Sequence, residues 1–512
     1  MLAPRTPRRS ENRAQHSRRA RTDQALDRFA GLVGRLRRSV RPVAALASTT
    51  IVLTALGPPL WNVAGSDPSA EAAPSVSGSV GSGCDRSRPA VAYWTGGVRL
   101  PRQPARPPIP CMALVGRSVE SATVGVSRSG SVMFAPLDDN SAPAPANVVQ
   151  GPEWVARSRN LGGNWTELES GGPITGGLVP PWMDVDPVTS RIWFVTTLPT
   201  LCGARVSWSD DDGKSWHSNP KVGCPGMGSE RVLEGPAPRN GAKPSGYRHV
   251  VYYCGNGTDV APSKLYCYKS LDGGRRFSFV GGFPDPPSPS ASCGVSHPAL
   301  PGVVGPDGVL YFPLDLCGKL AVAISGDEGA TWRRLPVAAT NIQDLYITSV
   351  ATDASGNLYI AWVAGSGQGP GVDGSGLPYL VVSRDRGRRW SKPMGVAPST
   401  VQQVRHVAVT ATGRGHVALT YLGSTDGGAT FDGYIAEFTN TLARRPVFWS
   451  AVVNNPSQPL MSGSRPQVFG DRLFFISDAF GPDGTPWAAL QCAYEKLCPN
   501  ERVGVVARLA TS

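Results

Sequence analysis

The sequence predicts an all-β chain folded as a β-propeller, with seven blades favoured and six possible. Two recurring patterns predict it. A short pattern, Ser-x-Asp-x-Gly-x-x-Trp/Phe, occurs six times between residues 158 and 431. A strand–turn–strand unit rich in aromatic and β-branched residues occurs seven times between residues 123 and 490. The 512 residues also hold 60 Gly and 48 Pro and offer few helical patterns. Self-similarity at such a period is the signature of a repeat architecture.

Five boxes are complete: Ser209–Trp216, Ser270–Phe277, Ser325–Trp332, Ser383–Trp390 and Ser424–Phe431. The first, Ser158–Trp165, carries Asn160 in place of aspartate. Their aromatic ends are spaced by 51, 61, 55, 58 and 41 residues. The Asp or Asn side chain accepts backbone N–H groups further along the turn and so closes it. The Gly supplies the positive φ of a tight reversal. The terminal aromatic folds back as an apolar weight between neighbouring elements. Each box is therefore expected to hold a hairpin together.

The seven strand–turn–strand units are Thr123–Phe134, Met183–Val195, Gly246–Tyr253, Val303–Phe312, Val350–Trp362, Val407–Tyr421 and Phe474–Leu490. A final strand, Val503–Leu509, follows the last. Units of this size cannot bury both faces alone, and radial closure solves that. A strand near Pro89–Tyr93 is expected to pair with the C-terminal unit, removing an exposed edge.

The formal charge of +12 is concentrated at the start of the chain. Residues 1–41 hold 12 Arg against Glu11, Asp23 and Asp27, leaving 38 basic and 35 acidic side chains elsewhere. A nucleic-acid surface would need that charge on the folded part, so no nucleic-acid partner is expected. An apolar run, Val43 to Gly57, follows the basic segment. That order reads as a signal or membrane-anchor segment. The run is shorter than a comfortable span of ~20 residues, and small residues around Ala70–Ala73 leave cleavage open. The expected organisation is a basic cytoplasmic leader at 1–42, an apolar signal or anchor at 43–64, a Ser/Gly/Pro linker at 65–88 and the propeller at 89–512. The folded part is expected outside the cytoplasm, as a monomer that touches the membrane only through its N-terminal segment.

All ten cysteines lie beyond the leader, which suggests disulfides. Nearest-neighbour pairing would join 202–224, 254–267, 293–317 and 492–498. Cys84 and Cys111 could pair, or one could reach the C-terminal pair. With no CxxC and no Cys/His cluster, neither a metal site nor a cofactor is expected.

The boxes resemble the Asp-box, or bacterial neuraminidase repeat, of sialidases and related secreted propellers. The resemblance covers most of residues 115–510 and includes Gly305-Pro306-Asp307-Gly308-Val309-Leu310-Tyr311 and Ser270-Leu271-Asp272-Gly273-Gly274. It implies an arginine triad for a substrate carboxylate, a Tyr/Glu nucleophile pair and an aspartate acid/base. Guanidinium forks grip carboxylates bidentately, and tyrosinate attack needs a carboxylate to take its proton. Carried onto this chain, Arg405, Arg465 and Arg99 are the candidate arginines. The segment around the last, Val98-Arg99-Leu100-Pro101, lacks the family's aromatic residue. Tyr346 or Tyr421 is the candidate nucleophile, Glu437 its partner and Asp184 the acid/base. Glu120, His297, Asp344, His406 and Asp471 are further residues expected to face the axis, where Trp182 and Trp362 could stack on sugars.

Gly213-Lys214-Ser215 lacks the first glycine of a phosphate-binding loop, and no HExxH or GxSxG is present. The expected function is an exported propeller that binds or hydrolyses an extracellular glycan or cell-wall polymer at its axial face. The alternative is a non-catalytic protein-binding scaffold at the cell surface.

Overall fold

The computed structural model describes residues 83–117, 120–137, 155–168, 181–197, 203–223, 227–257, 265–283, 302–316, 319–341, 348–364, 376–463, 476–494, 497–498 and 503–511. They are all β, in seven antiparallel sheets. Blade 1 runs outward through Glu120–Val126, Val132–Leu137, Val155–Ser158 and Thr166–Leu168. Blade 2 holds Trp182–Val185, Ile192–Thr197, Ala204–Ser209 and His217–Val222; blade 3 holds Met227–Gly235, Val250–Gly257, Leu265–Ser270 and Ser278–Phe283. Blade 4 holds Val303–Val304, Leu310–Leu316, Lys319–Ser325 and Arg333–Asn341; blade 5 holds Thr348–Thr352, Leu358–Ala364, Leu377–Ser383 and Met394–Gly395. Blade 6 begins with Gln403–Ala411, Val417–Ser424, Thr430–Phe438 and Val447–Val452. Blade 7 begins with Ser477–Phe480, Pro486–Cys492 and Val503–Ala510. Each first strand neighbours the first strand of the next blade, and that of blade 7 neighbours blade 1. The ring is closed, and its blade count is the favoured seven.

Closure differs in detail from expectation. Val91–Trp94 pairs with Val447–Val452 and extends blade 6, followed by Val98–Arg99. The closing strand is Ile109–Arg117, which pairs with Val503–Ala510 as the fourth strand of blade 7. Between them lies a run with Pro101, Pro104, Pro107 and Pro108, which lacks the N–H groups a continuous ladder needs. The chain therefore leaves one blade there and joins the next.

Adjacent sheets bury their facing side chains in layers. Trp193 and Trp208 of blade 2 pack with Val232, Val251 and Tyr253 of blade 3. Leu358, Ile360 and Trp362 of blade 5 pack with Leu320, Val322 and Ile324 of blade 4. The free edges of the inner strands are stitched to their neighbours by hydroxyls. The Val124 N–H donates to Ser477 Oγ at 2.8 Å, and the Val409 N–H to Ser349 Oγ at 3.2 Å.

All six boxes form the turn expected of them. Ser Oγ donates to the Asp or Asn Oδ1 at 2.6–3.0 Å. The box Gly N–H donates back to that Oγ at 2.8–2.9 Å. A later N–H, from Asn164, Ser215, Arg276, Thr331, Arg389 or Thr430, reaches Oδ1 at 2.8–3.0 Å.

The first five boxes join the third and fourth strands of their blades, but the sixth joins the second and third strands of blade 6. In an antiparallel blade these two connections lie on opposite faces of the ring. The first-to-second-strand turns share the face of the first five boxes, which we call the box face. The sixth box lies on the opposite face.

Disulfides join Cys84 to Cys111, Cys254 to Cys267 and Cys492 to Cys498. The expected 202–224 and 293–317 pairs lie outside the described residues, as does the leader. No helix among the described residues is long and apolar enough to cross a membrane.

Candidate functional site: an acidic axial cavity

Six of the seven turns that follow an inner strand share one closure. The N–H of Ser127, Asp186, Gly305, Asp353, Thr412 or Gly481 donates to the carbonyl of Ser131, Arg191, Val309, Asn357, His416 or Thr485, at 2.8–3.1 Å. The reversals use Gly130, Gly308, Gly356, Gly415 and Gly484, all at positive φ. These turns and the strand ends above them ring a cavity of about 1170 Å³ on the ring axis. It therefore lies at the box face, whereas the start of each inner strand lies at the other.

Three inner strands bring carboxyl groups into this cavity: Asp184 from blade 2, Glu234 from blade 3 and Asp478 from blade 7. Asp184 lies on the same face of its strand as Trp182, and Glu234 on the same face as Val232; Trp182 and Val232 pack in one layer between blades 2 and 3. The two acids therefore face one another there. Burial raises Asp184 to about 6; an N–H from Val185 at 2.8 Å opposes the shift and the charge of Asp186 adds to it. Burial pushes Glu234 well above the usual carboxylate range, reinforced by the charges of Asp184 and Asp186. Burial does the same to Asp478. Among the described residues, Glu234 Oε2 and Asp478 Oδ2 have no hydrogen-bond partner.

Asp186, two residues from Asp184, is pushed the other way. Burial works against its charge too, but its contacts outweigh burial and hold it at about 2. His249 Nδ1 lies 2.8 Å from Oδ2, the Tyr247 hydroxyl donates to the same oxygen, and the Val188 N–H donates to Oδ1 at 2.7 Å. Neighbouring carboxyls pushed apart by environment are the pattern of an acid/base site.

Behind the wall, His416 Nε2 lies 2.8 Å from Glu437 Oε1, and the His416 ring packs 4.5 Å from that of Phe480. At the mouth, Arg128 and Arg248 are exposed, and Arg128 Nη1 donates to the Val188 carbonyl at 3.2 Å. Among the described residues no group of three or more His, Cys, Asp or Glu is arranged to hold a metal ion.

Of the residues singled out in the sequence, Asp184 alone lines this cavity. Glu437 is buried and engaged with His416. Arg405 sits 4.1 Å from the Phe431 ring centroid. Arg99 is exposed on the outermost strand of blade 6, across the sheet from the axis. Glu120 opens the inner strand of blade 1 opposite Leu137. His406 follows Arg405 in a β-bulge, at φ 53°, and burial lowers it to about 3, so its imidazole is neutral. Tyr421 is fully buried and stacks on Tyr434 with centroids 5.1 Å apart; burial raises its phenol well above 10. Trp362 is fully buried against Tyr379, and Trp182 is buried beneath Arg231, so neither offers a free face to sugar. Tyr346, Arg465, His297, Asp471 and Asp344 lie outside the described residues.

Sequence reasoning missed Glu234 and Asp478. The signal available was position: each stands shortly before a Gly-Pro step, Gly235-Pro236 or Gly481-Pro482, as Asp184 stands before Asp186-Pro187.

No protein-family model matches the chain, and no curated protein matches it. Solved structures do. A mutant of NanB sialidase from Streptococcus pneumoniae is 12% identical, with 78% of this chain and 70% of that one covered and a TM-score of 0.39. An α-L-arabinanase of Penicillium chrysogenum is 15% identical over 64% and 92%, at 0.41. The polysaccharide lyase Uly1 is 8% identical over 83% and 98%, at 0.44. Scores this low carry no argument about the site, and the fold rests on the sheets themselves. Closed ring, box turns and strand order together make this chain a seven-bladed β-propeller with Ser/Asp/Gly box turns.

Proposed function

We propose that the chain is an exported glycan-acting propeller that takes its sugar in the axial cavity. The observation that carries this reading is the Asp184–Glu234 pair, two coupled carboxyls with raised affinities for protons in a cavity of ligand size. Near neutral pH such a pair holds one proton more tightly than the other. Glu234, raised by burial and by the charges of Asp184 and Asp186, is then the proton donor to a leaving oxygen, and Asp184 the base that activates water. This is glycosidic hydrolysis by two carboxyls, and it asks nothing of a tyrosine nucleophile or an arginine triad. The basic leader, the apolar run and three disulfides support export.

The test uses residues 83–512 made under oxidising conditions, with a panel of aryl glycosides and unlabelled oligosaccharides. Turnover that falls by about a hundredfold or more in Glu234→Gln and Asp184→Asn, with the fold intact, is the expected result. Turnover untouched by both substitutions would remove the pair from the mechanism. Binding without turnover, lost in the same variants, would leave a non-catalytic glycan receptor.

A further inference from the structure

The ligand class of the axial cavity can be taken one step further, resting on the reading that it holds a glycan. We propose that the cavity selects a sugar carrying a free, protonated amine and turns away uronates and sialates. The cavity and its lining carry this. Its wall presents carboxyls from blades 2, 3 and 7, while the arginines that line it, Arg128 and Arg248, are exposed at its mouth.

The remaining charged groups around the wall are already committed. Asp186 is held by His249 and Tyr247. Asp353 accepts from Asn357, from the Tyr359 hydroxyl and from the Gly415 N–H at 2.7–3.0 Å. Asp483 closes its own turn through Thr485. Asp184, Glu234 and Asp478 are different. Among the described residues, one oxygen each on Glu234 and Asp478 has no donor, and Asp184 accepts only the N–H of the next residue.

An ammonium supplies what these groups lack: up to three N–H donors and a compensating charge. In its presence the carboxyl that receives it ionises, so binding is coupled to proton release. An anionic sugar would meet like charge from the ionised Asp186 and gain no guanidinium inside the cavity. An N-acetylated sugar would keep the hydroxyl contacts and lose the charge.

Calorimetry on residues 83–512 decides it, using a chitosan oligomer, the fully N-acetylated chitin oligomer of equal length and an oligogalacturonate. The chitosan oligomer is expected to bind at least about tenfold more tightly than its acetylated counterpart. Its heat should differ between buffers of unequal ionisation enthalpy, reporting released protons, and oligogalacturonate should not compete. Glu234→Gln and Asp478→Asn should erase the preference while hydroxyl-mediated binding persists. The comparison among ligands on the unsubstituted chain does not depend on either variant folding. Equal binding of the two chitin-derived oligomers, or preference for the uronate, overturns the amine proposal and leaves the glycan reading standing. If none of the three binds, and no other oligosaccharide does, both fall.

Discussion

Arg405 lays its guanidinium 4.1 Å from the centroid of the Phe431 ring. Phe431 is the aromatic end of the sixth box, the one turned to the face opposite the other five. Gln403 reinforces the same corner, donating from Nε2 to the Gly427 carbonyl at 2.9 Å. Residues 460–463 dock there as well, through Leu460 and Gly463 N–H groups on the Phe431 and Ala429 carbonyls. The candidate ligand arginine thus serves as a brace for a displaced box. Arg405→Ala should lower unfolding free energy by about 0.5–2 kcal/mol, the range of a cation–π contact from exposed to desolvated sites. Urea titration at neutral pH measures it. Unchanged stability with glycan binding lost would return Arg405 to the ligand.

The boxes also predict where asparagine is tolerated. Oδ2 accepts a hydroxyl from Ser215, Thr331 or Thr430 in three of them, at 2.6–2.7 Å. The first box has Asn164 at that position, and its own Asn160 closes the turn through Oδ1 alone. The boxes of Asp272 and Asp385 have Arg276 and Arg389 there, with no hydroxyl to lose. Asp327→Asn should therefore cost about 0.5–1.5 kcal/mol more than Asp385→Asn, the net value of one exposed hydrogen bond. Equal costs by thermal or urea unfolding would show that the hydroxyl contact is idle.

Much of the fold was legible because its determinants are local. Ser, Asp and Gly at fixed offsets build a turn whatever surrounds them, and Ser209, Asp211 and Gly213 do so in this chain. The displaced box left a trace that sequence reasoning did not use: its spacing of 41 residues, against 51–61 elsewhere, is short by about one strand and turn. The closing strand was misplaced because pairing between residues nearly 400 apart leaves no local trace. Ile109–Arg117 and Val91–Trp94 both read as strands, and only the ring decides which edge each meets. The site was the least legible. Asp184, Glu234 and Asp478 acquire their chemistry from being enclosed together by three blades, and enclosure is a property of the assembled ring. Tyr421 and Trp362, conspicuous as residue types, were absorbed into the layers between blades.

The axial carboxyls predict an unusual pH profile. Asp186, with its folded value near 2 and an ordinary one of 3.8, adds stability as pH rises through that window. Asp184, raised to about 6, acts with the opposite sign. Its protonated form favours the fold, so its contribution is full below about 4 and is lost as pH rises through 6. Glu234 and Asp478 extend that loss to higher pH. The native protein should accordingly lose stability between pH 4 and 7, where most proteins gain it, and Asp184→Asn should flatten the decline. Melting temperatures of both proteins across that range test this. A parallel decline in the variant would assign the effect to other groups.

The Cys254–Cys267 bond lies between directly opposed residues of the second and third strands of blade 3. It closes a loop of 13 residues that includes the crossing between those strands. Replacing both cysteines by serine should cost about 2–4 kcal/mol and leave two hydroxyls in a layer where both cysteines are buried. Cys84 is exposed and fastens only the two-residue strand Gly83–Cys84 to Met112 and Cys111. The pair Cys84→Ser/Cys111→Ser should therefore cost less. Unfolding under identical oxidising conditions ranks the two, and the reverse order would refute the reading.

The ring itself depends on a strand that precedes every box. Ile109–Arg117 pairs along the whole length of Val503–Ala510, with Cys111, Met112, Ala113, Leu114 and Val115 all buried. Without it, Val503–Ala510 becomes an open outer edge of blade 7, and the apolar layer of Leu114, Leu490 and Val505 loses one side. An unpaired, buried-type strand is a template for association with another chain. A chain beginning at residue 120 keeps all six boxes and all three axial carboxyls. It should nevertheless fail to give a cooperative monomer, whereas residues 83–512 should melt in one transition. Adding residues 83–117 in trans should restore part of the monomeric species, because the missing piece pairs in fixed register with both blade 7 and blade 6. Size-exclusion chromatography and calorimetry on the two chains decide it. A stable, cooperative monomer from residue 120 onward would mean that six complete blades hold the seventh in place, and that closure is dispensable.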